Sequence, residues 1–347
     1  MGLGNSLQTA QASGGGASVG GWVELGRTTL GSVGGTVNVA SLPDKRYYMV
    51  LGNMQKNGSI DLSSDLRINN DTGSNYSRRS STNGGAESSQ TNVGNITLTG
   101  GTGGIDEPNL GVHYVANLSD EEKLIQGNIV FSDTTGATTP PYRGENTAKW
   151  ANTSTSVTDI SYTTGDAGFG TGSEVVVLGW DPADTHTTNF WEELASVELG
   201  GTASEISSGT ITAKKYLWLQ VYIIASGSVN DKIRFNNDTG SNYAFRYSAN
   251  GGGDATGAAQ DNINPSFNTS ATNKFMNFFI INNSANEKLL TGNVLNDGGA
   301  GAGADPDRVE AVGKWANTSA QITEIDVYED GGGSFDTGTI MKVWGSN

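Results

Sequence analysis

No cysteine occurs among the 347 residues, so disulfides, zinc-thiolate centres and thiol nucleophiles are excluded. Histidine is almost absent as well. His113 and His186 are the two present, and a Ser-His-Asp arrangement or a His metal cluster needs each His beside partners. Basic residues are scarce: 20 Lys plus Arg stand against 36 Asp plus Glu, a net charge of −16. That balance repels phosphate and excludes direct wrapping of nucleic acid. Long apolar runs are missing too. Nothing approaches the ~18 residues of a membrane span, and Met1-Gly2-Leu3-Gly4-Asn5 has neither the basic flank nor the apolar stretch of a signal peptide. The expectation is a soluble product without a membrane span.

What is abundant is turn chemistry. Fifty Gly, many Ser, Thr and Asn, and only 16% charged residues suit short strands joined by turns and disfavour a helical bundle. The chain is also duplicated. Asn69-Asn70-Asp71-Thr72-Gly73-Ser74-Asn75-Tyr76 returns unchanged as Asn236-Asn237-Asp238-Thr239-Gly240-Ser241-Asn242-Tyr243, and Lys149-Trp150-Ala151-Asn152-Thr153-Ser154 returns as Lys314-Trp315-Ala316-Asn317-Thr318-Ser319. The copies lie 167 residues apart at Asn69 and 165 apart at Trp150, so most loops as well as strands have kept their length.

The eight-residue stretch reads as a strand ending in a tight turn, since Asn, Asp and Gly tolerate left-handed backbone and Asx side chains bond the backbone just ahead. Asn69, Asp71 and Gly73, with Asn236, Asp238 and Gly240, are the structural turn residues, and a new strand is expected from Tyr76 and Tyr243. Alternating or dense apolar runs at Trp22-Val23-Glu24-Leu25, Thr36-Val37-Asn38-Val39, Tyr47-Tyr48-Met49-Val50-Leu51 and Gly111-Val112-His113-Tyr114-Val115 supply further strands, and the first, third and fourth have counterparts in the second half. About eight strands per half point to two tandem antiparallel β-sandwich domains, jelly-roll-like in kind. The division expected is a flexible Gly/Ala/Ser-rich arm over 1–20, a first sandwich over 21–180, a linker over 181–189 and a second sandwich over 190–347.

Catalytic constellations are hard to assemble from these residues. His113 aligns with Phe278 and His186 falls in the linker, so neither histidine is duplicated. A glycosidase needs two carboxylates about 5 to 9 Å apart. The duplicated candidates are Asp71 with Glu122 and Asp238 with Glu287, but each Glu precedes a Lys and each Asp sits in a turn where local hydrogen bonding is its ordinary role. Asp71 and Asp238 are also the calcium candidates; with one carboxylate apiece and no Asp-x-Asp spacing they make a thin ligand set, and no metal or cofactor is expected. Arg67, Arg79 and Arg143 recur as Arg234, Arg246 and Arg308. Their planar forks suit capping carbonyls and pairing with Glu122 and Glu287 in buried or subunit-facing networks, with sugar or anion binding as the alternative. Trp150, Trp315, Tyr76 and Tyr243 are candidate glycan or subunit contacts if their rings reach the surface.

The duplicated turn, the Lys-Trp-Ala-Asn-Thr-Ser segment and the closing strand that ends in Leu178-Gly179 or Trp344-Gly345 resemble structural proteins of marine and environmental phages and viruses, across about 21–180 and 190–345. That resemblance implies a non-enzymatic virion subunit: a capsid or capsid-decoration component first, a tail component second. Its partners would be other copies of itself, as a trimer or a larger shell, and other virion proteins. A carbohydrate-binding or adhesion module of a tail or cell-surface protein is the competing class, in which two copies add avidity.

Overall fold

The computed structural model describes residues 18–19, 21–58, 63–99, 108–132, 134–165, 167–182, 184–186, 188–265, 273–299 and 301–347. The arm expected over 1–20 lies outside the described residues except at Ser18–Val19, and the Gly-rich segment 100–107 lies outside them entirely. Among the described residues every regular element is a strand, and no helix is long and apolar enough to cross a membrane.

A short β1 (Ser18–Val19) pairs with β14 (Thr185–His186). Between them lie β2 (Val23–Thr29), β3 (Thr36–Val39), β4 (Tyr47–Met54), β5 (Ser64–Ile68), β6 (Tyr76–Thr82), β7 (Ser88–Val93), β8 (Ile96–Thr99), β9 (Asn109–Ala116), β10 (Lys123–Phe131), β11 (Tyr142–Trp150), β12 (Ile160–Thr163) and β13 (Glu174–Trp180). They form an eight-stranded sheet, β2-β13-β4-β9-β10-β11-β6-β7, and a four-stranded sheet, β3-β12-β5-β8. The chain repeatedly crosses from one sheet to the other, which gives the jelly-roll-like connectivity of a closed sandwich.

The second half repeats the plan. Its strands are β15 (Glu192–Glu198), β16 (Glu205–Ser207), β17 (Tyr216–Ile223), β18 (Ala225–Ser226), β19 (Asp231–Phe235), β20 (Tyr243–Ala249), β21 (Ala255–Gln260), β22 (Lys274–Ile281), β23 (Lys288–Asn296), β24 (Asp307–Trp315), β25 (Ile325–Glu329), β26 (Ser334–Phe335) and β27 (Ile340–Ser346). The large sheet runs β15-β27-β17-β22-β23-β24-β20-β21 and the small one β16-β25-β19. The expectation of about eight strands per half was too low. After β6, which starts at Tyr76 as expected, the Ser/Thr-rich segment adds the edge strand β7, whose polar residues carry no apolar alternation to betray it.

The duplicated stretch explains itself residue by residue. Asn69 and Asn70 have φ of 53° and 51°, Asn236 and Asn237 of 52° and 54°, as a type I′ turn requires at both central positions. The Asn69 amide donates to Ser156 O at 2.8 Å and accepts from the Thr158 and Asp159 N–H groups, fastening the segment that enters β12; Asn236 does the same to Gln321, Thr323 and Glu324. The Tyr76 hydroxyl returns to the backbone of Ile68, and that of Tyr243 to Phe235. A side chain at Gly73 would stand 2.8 Å from Asn75 Nδ2, so it would displace the Asn75 amide that bonds Asp71. The motif is a folding staple used twice.

Each domain has a core between its two sheets, and a third core lies between the domains. Met49, Leu51, Leu110, Val112, Val130, Val176 and Leu178 point out of the first large sheet, and Tyr216, Phe279, Ile281, Leu289 and Val312 out of the second, into one cluster. The two large sheets therefore lie face to face. This is why Val175, Val176, Val177 and Leu178 are all fully buried in sequence: both faces of that strand are covered.

Candidate functional site

Trp150, Trp315, Tyr76 and Tyr243 are each at most 1% exposed, so they offer no platform to a glycan and no contact to a second subunit. Trp150 Nε1 donates to Asp71 Oδ2 at 2.7 Å and Trp315 Nε1 to Asp238 Oδ2 at the same distance. Asp71 also accepts from Gly73 N and Asn75 Nδ2, and Asp238 from Gly240 N and Asn242 Nδ2. Burial opposes ionisation of Asp71, but the hydrogen bonds from Trp150, Asn75 and Gly73 outweigh it and hold the carboxyl below its ordinary range; Asp238 is held down in the same way. With both oxygens of each carboxylate occupied by N–H donors, the calcium reading of Asp71 and Asp238 loses its ligands. Among the described residues no group of three or more His, Cys, Asp or Glu could hold a metal ion.

The acid pairs considered for glycoside hydrolysis have separate partners as well. Glu122 binds Lys149 at 2.8 Å, while Glu287 is buried, accepts from the Gly136 N–H and faces Lys314 at 3.6 Å. His113 is fully buried, with Nδ1 2.9 Å from the Tyr162 hydroxyl and Nε2 without a partner, and burial pushes its pKa down to about 4. Gly52 and Gly111 make room for that Tyr162 ring, since a Cβ on either would stand within 2.8 Å of it. The side chain of His186 lies outside the described residues.

None of the six duplicated arginines forms an ion pair with Glu122 or Glu287, which corrects the pairing expected from sequence. Arg67 caps Gly94 O, and Arg234 reaches Asp261 and the Tyr328 hydroxyl. Arg143 is buried and binds Asp254 of the second domain at 2.8 Å; Arg246 joins the same carboxylate and caps Pro141 O. Their counterparts stay in the open, Arg308 beside Glu310 and Arg79 beside Glu87. Arg143 and Arg246 thus join the two domains of one chain through Asp254.

The contact between domains is lopsided. The loop after β10 in the first domain meets β24 of the second, where Lys314 donates to Ser132 Oγ and Thr134 O, and β13 meets the start of β17, where Glu174 accepts from Tyr216 and pairs with Lys215 at 2.9 Å. Burial opposes the ionisation of Glu174, but Thr29, Lys215 and Tyr216 hold it below its ordinary range. Asn128 and its repeat equivalent Asn293 meet at 3.5 Å, the contact of a position with its own copy that a pseudo-twofold axis produces. Away from that closed side the faces are bare. Leu289 is 0% exposed but its equivalent Leu124 is 58%, and Val130 is 0% but its equivalent Leu295 is 50%.

Two stretches of open face result. On the first domain, Trp180, Tyr47, Ala116 and Leu124 stand side by side across β13, β4, β9 and β10. With Trp22 and Tyr114 they line a groove of about 600 Å³. It continues through the shared residues Tyr114, Gln126 and Thr147 into a second groove of about 460 Å³ that both domains line. On the second domain, Ile340, Tyr222, Phe275 and Leu295 form a row across β27, β17, β22 and β23. These residues escaped sequence reasoning, although the unbroken apolar run at Val175-Val176-Val177-Leu178 signals that the outer faces are not simply solvated.

No family model matches the chain, and no curated protein matches it. Among solved structures, the LG1-3 region of the laminin α2 chain is 7% identical, covering 90% of this chain with a TM-score of 0.20; the present chain spans 64% of that fragment. Domains LG4-5 of the mouse laminin α1 chain are 9% identical, with 96% of this chain and 92% of that chain covered and a TM-score of 0.18. Superposition this loose carries no argument about function.

Proposed function

We propose that the chain is a non-enzymatic structural subunit of a phage or virus particle, a capsid or capsid-decoration component before a tail component, that works by self-association and by contact with other virion proteins. One observation carries the reading: the row Ile340, Tyr222, Phe275 and Leu295 crosses four strands of a sheet face, with Tyr222 41% and Leu295 50% exposed. A contiguous apolar row on a sheet face marks a surface meant to be covered. The same face of the first domain is already used for association, since its Val130 is buried against the second domain. The resemblance of the duplicated turn to virion proteins supports the particle as the setting. No cofactor and no nucleic acid enter this reading.

Light scattering over a range of protein concentrations, together with negative-stain imaging, tests it. Defined oligomers, rings, shells or filaments that weaken in Leu295→Arg and Tyr222→Arg are the expected result. A monomer of 36.1 kDa at every concentration, with or without other virion proteins, overturns it.

A further inference from the structure

We propose that the continuous groove on the outer face of the first domain is a binding cleft for a neutral oligosaccharide. Tyr47 and Trp180 stack at 5.4 Å and 20°, Trp180 lies 6.5 Å from Trp22, and Trp22 lies 6.3 Å from Tyr114. Four rings thus follow one another along an open sheet face, where aromatic faces meet the C–H faces of pyranose rings with little loss of side-chain freedom. In the second domain the equivalents Trp191, Tyr216 and Phe279 are buried against the first, and the position of Trp180 is taken by Ser346, so the array belongs to one copy alone.

A polar lining fit for hydroxyl groups follows the rings. Gln126 and Thr147 lie where the two grooves join, and Asn128, Asn277 and Asn293 line the stretch between the domains. Side-chain amides supply donor and acceptor together, which is what vicinal hydroxyls need. Trp180 contributes its ring, stacked on Tyr47, to the same lining. Burial pushes the Tyr114 hydroxyl far up, so it stays protonated as a donor.

Charge decides between neutral and acidic sugars. Each carboxylate lining the cleft has an arginine beside it: Glu87 with Arg79 at 2.6 Å, Glu310 with Arg308 at 2.5 Å, and Glu145 with Arg143. The positive charge along the cleft is thus matched by carboxylates. The net charge of −16 adds long-range repulsion of polyanions. Location at a junction between domains is also where ligand clefts commonly form. A particle subunit carrying such a cleft would hold a glycan of its target surface.

The test is titration of the full chain with neutral hexaoses (cellohexaose, laminarihexaose, mannohexaose and N-acetylchitohexaose) and with an acidic oligogalacturonate of equal length, read by intrinsic tryptophan fluorescence and calorimetry. One neutral series is expected to bind and to perturb the tryptophan signal. Tyr47→Ala and Gln126→Ala should each weaken it about tenfold or more, and Trp180→Phe, which shortens the aromatic face but keeps a ring beside Tyr47, should weaken it less than Tyr47→Ala does. Thermal melts of the variants that match the wild type assign the loss to the cleft. Failure of every neutral hexaose at millimolar concentration, binding untouched by Tyr47→Ala and Gln126→Ala, or preference for the acidic sugar would each overturn the proposal. Tyr222→Arg lies outside the cleft and should leave sugar binding unchanged, so self-association and glycan binding stand or fall separately.

Discussion

Leu124 and Leu289 occupy the same place in two copies of one fold, yet one is 58% exposed and the other fully buried. The same holds for Lys149 and Lys314: the first makes an exposed pair with Glu122, the second is buried against Ser132 and Thr134 of the other domain. By contrast Trp150 and Trp315, at most 1% exposed, hold Asp71 and Asp238 at one distance in both copies. What duplicated sequence specifies alike is the inside of each sandwich. The outer face of the large sheet was freed to diverge, because one half of it packs on a sister domain and the other half meets solvent.

That contrast can be broken or sharpened. The largest effect belongs to the staple. Trp150→Ala and Trp315→Ala should each cost about 4 kcal/mol in urea denaturation of the full chain, and a difference of more than ~1 kcal/mol between them would show that the copies are not equivalent inside. Next comes the outer face. Leu289→Ala should cost about 3 kcal/mol, by loss of burial and the cavity left behind, whereas Leu124→Ala should stay within about 0.5 kcal/mol. Equal losses would mean that the asymmetry between the faces does not exist in solution.

Smaller again is the turn carboxylate. Asp71→Asn and Asp238→Asn keep the shape but remove the charge that strengthens the indole hydrogen bond, and each should cost about 1 kcal/mol at neutral pH. Because these carboxyls titrate below their unfolded range, their contribution is present above about pH 4 and is lost as pH falls through the folded value. Thermal melts of the two variants between pH 3 and pH 7 should converge on the wild type at the acid end.

The smallest effect concerns one copy alone. His113 titrates near 6.5 when unfolded and near 4 in the core, so the unfolded chain takes up the proton first as pH falls. Its share of stability is complete above pH 6.5 and is withdrawn between there and about pH 4. His113→Leu removes that slope while leaving the Tyr162 hydroxyl unpaired. Melting temperatures across this window should therefore flatten, and a slope as steep as the wild type's would assign the titration to another group.

Much of the fold was readable in advance. The type I′ turn follows from two Asn ahead of Asp, and β6 and β20 begin at Tyr76 and Tyr243 as expected. Strands such as Tyr47–Met54 are carried by dense apolar residues of high β-propensity. The edge strand β7 was missed because its residues are polar on both faces. The partner of Arg143 was missed because Asp254 lies 111 residues beyond it, a separation that no local pattern encodes. The aromatic groove was missed for a related reason. Trp22, Tyr47, Tyr114 and Trp180 are scattered over about 160 residues and become neighbours only when β2, β13, β4 and β9 pair.

That the chain is a doubled all-β protein with one tight Asx turn in each copy is written in its residues, since this rests on local backbone preference and strand period. The tryptophan that closes each turn, by contrast, comes from 79 or 77 residues away and is brought there by the fold. The tertiary structure alone decided which half of each large sheet would be covered. Burial of a face depends on what the rest of the chain brings against it, and Leu124 and Leu289 differ in nothing that a residue type can record.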